Sequence, residues 1–501
     1  MNKLIIPIIV VLIIAAGIGA YFIFQRATPE DKCGDGICGT VEKANPNLCP
    51  QDCEEEPSIS DFISGFKIQN LKNIKGISET TFKLAQELGL DYVLVPVGYP
   101  KEGATDLQKI DWSAGLDYYY IFELANEYDV SVLPAFYKLG GKEDKDYEKY
   151  ASFVITFLDK FYTQRKIDYI EFQNEPVAEY NGQTSRHFGG TPTDLAKSNT
   201  AAYNKVKEKY PLIKVGTAGF LAAPAAGGSG SSDEHKVMSG YYKEYFSAKP
   251  KFDFLALHQY PRTSSYLQKT ENSGTKYNFM SEYEIFEAYR KLLNDYGYSD
   301  KPILVTEGAV RMPFREANER FNWNWLDDEE VAILLTERFV LTLSNSEDEN
   351  IIGSMISDVE GSDKTALFDY DEKTGNYAKT NKFYFYKKLL EFIRKYPIHS
   401  KHIAGEVDSE YYWVEEFKDE DGKKMWMTFC PFLFWTEAES PEKPAAIAVK
   451  KSITCPQEVT FEVGNVKSVK ISTVSEDSTV NTVDGKVSFK LEKNPVFVEE
   501  K

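Results

Sequence analysis

Two glutamates stand where apolar, β-prone runs of the chain turn out of regular structure. Glu175 closes Ile170-Glu171-Phe172-Gln173-Asn174-Glu175-Pro176, and Glu307 closes Ile303-Leu304-Val305-Thr306-Glu307-Gly308. Cleavage of a glycosidic bond needs two facing carboxyl groups, one protonated and one charged. Each string alone is a weak sign, because Asn-Glu-Pro and Thr-Glu-Gly also serve ordinary turns. Order and context add weight: Leu257-His258-Gln259-Tyr260-Pro261 ends a third apolar run between them. The two glutamates lie 132 residues apart, a separation that fits three βα units. A barrel bearing one such residue at each of two strand ends holds the pair on a rigid rim.

The elements that must position these residues recur along the middle of the chain. Strands are predicted at Phe62–Phe66, Asp91–Val97, Val130–Phe136, Asp168–Asn174, Ile213–Gly219, Phe252–His258, Ile303–Glu307 and Ile351–Ser357. Helical patterns fall at Thr80–Leu88, Tyr118–Tyr128, Tyr147–Phe161, Ala196–Tyr210, Ser281–Tyr296 and Glu329–Ser344. Strands alternating with helices at this rhythm predict a (β/α)8 TIM barrel, an α/β fold, over residues 60–398. The Ala-, Gly- and Ser-rich stretch after the fifth strand reads as a loop on the carboxyl face, either a substrate lid or a tolerated insertion. Beyond the helix Lys382–Tyr396 the texture changes to short strands parted by turns such as Asp421-Gly422 and Asp484-Gly485. A C-terminal β-sandwich is expected over residues 400–501.

With Asn-Glu-Pro ending strand four, His-x-Tyr ending strand six and Thr-Glu-Gly ending strand seven, residues 60 to 400 resemble the clan A glycoside hydrolases, with features of families 5 and 39. The resemblance implies a retaining glycosidase with Glu175 as general acid/base and Glu307 as nucleophile. It further implies that Asn174 binds a sugar 2-hydroxyl, Tyr260 hydrogen-bonds the nucleophile and His258 lines the pocket. The chain departs from that pattern twice. Many clan members carry an arginine within strand two, where this chain has Leu94, and a Trp platform after strand eight, where it has Ser357-Asp358-Val359-Glu360. Arg311 or Arg262 is the expected replacement for charge, and Trp323 or Trp325 for stacking. Tyr137 is a further substrate-binding candidate, with Tyr99, Trp112, Phe136 and Tyr180 as other aromatic residues near strand ends. The rival reading is a noncatalytic surface protein that binds glycans on a degenerate barrel.

At the amino terminus, residues 4–24 form an uncharged apolar run of the length a transmembrane helix requires. An uncleaved membrane anchor is expected, with a cleavable signal peptide as the alternative. Residues 33–53 hold Cys33, Cys38, Cys49 and Cys53 but too few apolar residues for a core, so covalent or metal staples must hold them. Two disulfides are expected, in any of three connectivities, which implies an oxidising, extracellular setting. The segment resembles a short calcium-binding, disulfide-linked module found near membrane anchors. That resemblance makes Asp35, Glu42 and Asp52 candidate ligands for a structural calcium, with zinc as the alternative. Cys430 and Cys455 could form a third bridge.

Charge narrows the partners. The formal net charge is -19, from 58 basic and 77 acidic residues, against the clustered basic surface that nucleic acid requires. Five histidines, none paired at metal-ligand spacing, give no ground for a catalytic metal, so no catalytic cofactor is expected. The expected partners are a carbohydrate substrate and a membrane.

Overall fold

Eight parallel strands follow one another along the chain: β1 (Ile63–Lys67), β2 (Tyr92–Gly98), β3 (Ser131–Tyr137), β4 (Tyr169–Phe172), β5 in two pieces (Lys214–Val215 and Phe220–Leu221), β6 (Leu255–Gln259), β7 (Ile303–Gly308) and β8 (Ile351–Ile356). Hydrogen bonding runs from the first piece of β5 through β4, β3, β2, β1, β8, β7 and β6 to the second piece of β5. Both ends of the sheet therefore belong to one short segment. Isolated bridges Asn174↔Gly219 and Gly216↔Phe254 stitch that segment to both neighbours, so the sheet closes on itself.

The structure is a computed structural model. It describes residues 62–501 except 69–74, 100–106, 138–145, 181–182, 187, 189, 222–232, 260–281, 309–327, 358, 360–365, 405–411, 430–432, 441–442, 452–456 and 493. The expected anchor at 4–24 and the cysteine module at 33–53, with Asp35, Glu42 and Asp52, lie outside the described residues. So do Tyr260, Arg262, Arg311, Trp323, Trp325, Cys430 and Cys455. Among the described residues no helix is long and apolar enough to cross a membrane.

A helix follows each strand: α1 (Lys75–Leu88), α2 (Tyr118–Glu127), α3 (Tyr147–Phe161), α4 (Pro192–Lys209), α5 (Asp233–Ser247), α6 (Glu282–Asp295), α7 (Asp328–Ser344) and α8 (Asn381–Lys395). Local chemistry fixes their ends. Asp146 caps α3 by accepting from the Lys149 N–H at 2.9 Å. Thr191 and Asp194 form a reciprocal capping box on α4, with Pro192 in the first turn where its missing N–H costs nothing. In α3, Tyr150, Phe153, Val154, Phe157, Leu158 and Phe161 fall three and four apart and pack as one buried stripe. Trp112 stacks on Phe153 and meets Phe157 and Phe161 edge-on, and Phe136 packs on the same cluster. Both candidates for sugar contact are core residues.

Inside the barrel, Ile63, Leu94, Leu133, Ala135, Phe254, Ala256, Leu304 and Met355 form a separate apolar plug. Alternate residues of each strand point there, and the next residues up the same faces carry the polar groups described below.

After α8 comes a six-stranded antiparallel sheet in the order 398–404, 413–418, 424–429, 496–500, 468–472, 477–481. A two-stranded ladder (Gln457–Glu462 with Lys486–Leu491) lays Val459, Phe461, Val487 and Leu491 on Val414, Trp426, Val469, Ile471 and Val498. The described residues thus give one large sheet faced by a ladder, which is a narrower statement than the expected sandwich. The sheet packs on the barrel: Phe392 of α8 stacks on Phe497 with centroids 4.2 Å apart, and Tyr396 donates to Glu499 at 2.8 Å. Residues Ile59–Lys501 form one compact unit.

Candidate active site

At the carboxyl end of the strands, five inward-facing side chains converge above the apolar plug: Lys67 from β1, Tyr137 from β3, Glu171 from β4, His258 from β6 and Glu307 from β7. Glu175, just past β4, completes the group. All six are buried.

Two backbone irregularities aim the carboxylates. On β7, Val305 pairs with Leu257 of β6, but Glu307 rather than Thr306 pairs with His258. Leu304 and Ala256 point into the barrel, so strict alternation would bring Thr306 inside and turn Glu307 out. A one-residue slip at Thr306 reverses this and sets Glu307 beside His258, the re-aiming role of a bulge. Past β4, Gln173 (φ 51°) and Glu175 (φ 40°) both occupy the left-handed region, which non-glycine residues rarely adopt. The strained turn is pinned to β5: Glu175 N–H donates to Gly219 O at 3.0 Å, and Gly219 N–H donates to Gln173 O at 2.9 Å. Asn174, between the two, has a buried side-chain oxygen with no hydrogen-bond partner among the described residues.

His258 sits at the centre. Its Nδ1 lies 3.2 Å from Glu175 Oε1, and its Nε2 lies 3.3 Å from Glu171 Oε1 and 3.4 Å from Glu307 Oε1. Burial works against a charged ring, but Glu307 and Glu171 outweigh it, and the ring is pushed up to about 10. His258 is therefore an imidazolium clamped among three carboxyl groups. Because its value is raised in the folded state, its contribution to stability is full below about 6.5 and is lost as pH rises through about 10. The denaturation midpoint of wild type should exceed that of His258→Gln most below pH 6.5, with the gap closing towards pH 10.

One ligand atom each from Glu175, His258 and Glu307 lies within 4.8 Å of the other two. That donor set could in principle hold a divalent ion. The Lys67 ammonium, however, already sits on Glu307, and both ring nitrogens of His258 face carboxylates rather than a shared open point. The arrangement favours an internal ion network over a metal cage.

Around Glu307, Lys67 Nζ donates to Oε1, and Tyr137 Oη donates to the same oxygen at 3.2 Å. The Lys67 ammonium also lies 5.5 Å from the Tyr137 ring centre. Sequence reasoning expected Tyr260 on this carboxylate, and Tyr137 supplies a phenol there. The cation that Arg262 or Arg311 was expected to bring comes, among the described residues, from Lys67. Lysine closing a strand reads as a solvated end residue, so no sequence signal marked it. Glu171 was likewise read only as part of a strand; a charged residue amid the apolar run Ile170-Glu171-Phe172 was the signal available.

Glycine permits the close packing here. A Cβ on Gly219 would overlap the His258 ring, so Gly219→Ala must displace the clamp. It is expected to cost about 1–3 kcal/mol. Gly240→Ala, in an open position on α5, should be neutral or stabilising by about 0.5–1 kcal/mol. Urea denaturation of the two variants checks the contrast.

The fold is that of known glycoside hydrolase structures. A glucosidase from Croceicoccus marinus aligns over 88% of this chain and 100% of its own, with TM-score 0.55 and 12% identity. A GH30 endoxylanase from Clostridium papyrosolvens aligns over 89% and 97%, with TM-score 0.51 and 11% identity. A conserved exported protein from Bacteroides fragilis aligns over 88% and 97%, with TM-score 0.56 and 11% identity. The chain shares with them an α/β barrel fold. A family profile for the RET cysteine-rich domain matches residues 23–84. That span holds the four clustered cysteines but also β1 and the first part of α1, which the structure assigns to the barrel. No curated protein sequence matches the chain.

Proposed function

We propose that the barrel is a retaining glycoside hydrolase acting on an extracellular poly- or oligosaccharide. The observation that carries this reading is the convergence of Glu175 and Glu307 within 4.8 Å across His258, inside a closed barrel. Retaining enzymes hold their two carboxyl groups about 5–5.5 Å apart, whereas inverting enzymes leave about 6.5–9.5 Å for a water.

In the first step a Glu307 oxygen bonds to the anomeric carbon as the bond to the leaving oxygen breaks, and Glu175 gives that oxygen its proton. Glu175 then takes a proton from water, whose oxygen displaces Glu307 from the anomeric carbon and restores both groups. Geometry supports this division of labour: Lys67 and Tyr137 both contact Glu307 and His258 lies between the two glutamates, contacting each. Asn174, whose buried side-chain oxygen has no partner among the described residues, offers an acceptor beside Glu175 for a sugar hydroxyl.

The glycosidase structures sharing the fold support a carbohydrate ligand; sugar and linkage are properties the test must report. Residues 4–24 are proposed as the anchor holding the enzyme outside the cell, and residues 33–53 as a disulfide-linked module that could bind calcium through Asp35, Glu42 and Asp52. The match to a cysteine-rich domain profile supports the disulfide reading.

The test is a panel of aryl glycosides offered to the protein lacking residues 1–24, beside Glu175→Gln and Glu307→Gln. Turnover of at least one glycoside, with retained anomeric configuration and loss in Glu307→Gln, is expected. Binding of glycans without turnover of any panel member would favour an adhesion protein.

A further inference from the structure

We propose that Lys67 is the positioning residue that keeps Glu307 ionised and aimed at the sugar, a task displaced here from strand two to strand one. The inference rests on the glycosidase reading. Three observations carry it.

First, Lys67 is buried, and a lysine ammonium leaves water only at a large cost unless it meets an opposite charge. Its ammonium pairs with Glu307 Oε1, some 240 residues away in sequence. Second, Lys67 is the register partner of Leu94 on β2. Leu94 is the position where the clan resemblance places an arginine, and here its side chain is part of the apolar plug. The cation has moved one strand sideways at the same height in the barrel. Third, three groups from three strands reach the same oxygen, Glu307 Oε1: Lys67 from β1, Tyr137 from β3 and the His258 Nε2 from β6. Glu171 and Glu175 face the same cluster from β4, across His258. Contacts from three strands on one oxygen fix the orientation of the Glu307 carboxyl group.

An adjacent cation favours the charged form of a carboxyl group, an effect on the order of one to three pH units. Removing the charge from residue 67 should therefore move the acidic limb of kcat/KM upward by about one unit or more, with at least about a tenfold loss on the acid side. Lys67→Arg should keep the wild-type limb. Adding Leu94→Arg to Lys67→Met should bring the limb back, since the guanidinium would enter from the neighbouring strand at the same level. A merely structural lysine would change the unfolding temperature and leave the limb in place.

The experiment pairs these pH profiles with titration of the Glu307 carboxyl carbon by 13C NMR, its resonance assigned by its loss in Glu307→Gln. An upward shift of the midpoint in Lys67→Met supports the proposal. A midpoint unmoved in the folded variant overturns it. Should Lys67→Met fail to fold, Lys67→Gln carries the same test, because it keeps a donor while removing the charge. The two readings fail differently. Wild type inert to every glycoside defeats the glycosidase reading, while the NMR midpoint still judges the grip of Lys67 on Glu307. An active wild type, a dead Glu307→Gln and an unmoved limb in Lys67→Met defeat Lys67 alone.

Discussion

Glu307→Gln should lower turnover of every glycoside the protein accepts by at least about four orders of magnitude, the scale seen when a catalytic group is removed from a preorganised site. The amide is nearly isosteric with the carboxylate, yet it carries no charge to stabilise an oxocarbenium-like transition state and attacks an anomeric carbon poorly. It also leaves Lys67 buried without a counter-charge, so a modest fall in stability should accompany the loss. Ligand binding should survive, because the pocket keeps its shape. Steady-state rates, together with calorimetry on an unreactive substrate analogue, separate the two effects. A variant that turns substrate over as fast as wild type would remove Glu307 from the chemistry.

Glu175→Gln should produce a different signature, because Glu175 acts once as acid and once as base. For leaving groups that need protonation the loss should be about 10²–10⁴-fold, the usual contribution of general acid–base catalysis. For an activated leaving group such as dinitrophenolate the first step needs no proton. The glycosyl-enzyme should then accumulate, with a burst of phenolate followed by slow release. Added azide should speed that release and yield a glycosyl azide of retained configuration, because an anionic nucleophile needs no base. Losses of equal size across leaving groups, with no response to azide, would assign Glu175 a structural role. The clamp makes this a demanding test, since His258 also contacts Glu175 and the glutamine must fit the same strained turn.

The general outline of the barrel was legible because its signals are local. Apolar runs, turn residues and helical spacing placed all eight strands within a few residues of their observed positions, and most helices likewise. α5 was missed because its sequence, Asp233–Ser247, is polar, contains Gly240 and follows a Gly/Ser-rich run that reads as a loop. Within the site, Glu175, His258 and Glu307 were legible as strand-end residues, and the structure brings all three together. Their surroundings were not. The slip at Thr306 depends on pairing with β6, and the tie between Lys67 and Glu307 spans most of the barrel. Tyr137 looked like one more strand-end aromatic, and Trp112 looked available to sugar although it lies among Phe153, Phe157 and Phe161. Local patterns report which element a residue belongs to; contacts that depend on closure of the sheet report what it touches.

The most direct test of the central claim is covalent. A panel of 2-deoxy-2-fluoro glycosides with activated leaving groups slows release of the glycosyl-enzyme more than its formation, so the adduct can be digested and its peptides mapped by mass spectrometry. A single sugar on the peptide carrying Glu307, absent in Glu307→Gln, is the expected result, and the sugar that labels fastest would report the preferred substrate. Label on another carboxylate, or release of products with inverted configuration and no label, would contradict a double displacement at Glu307.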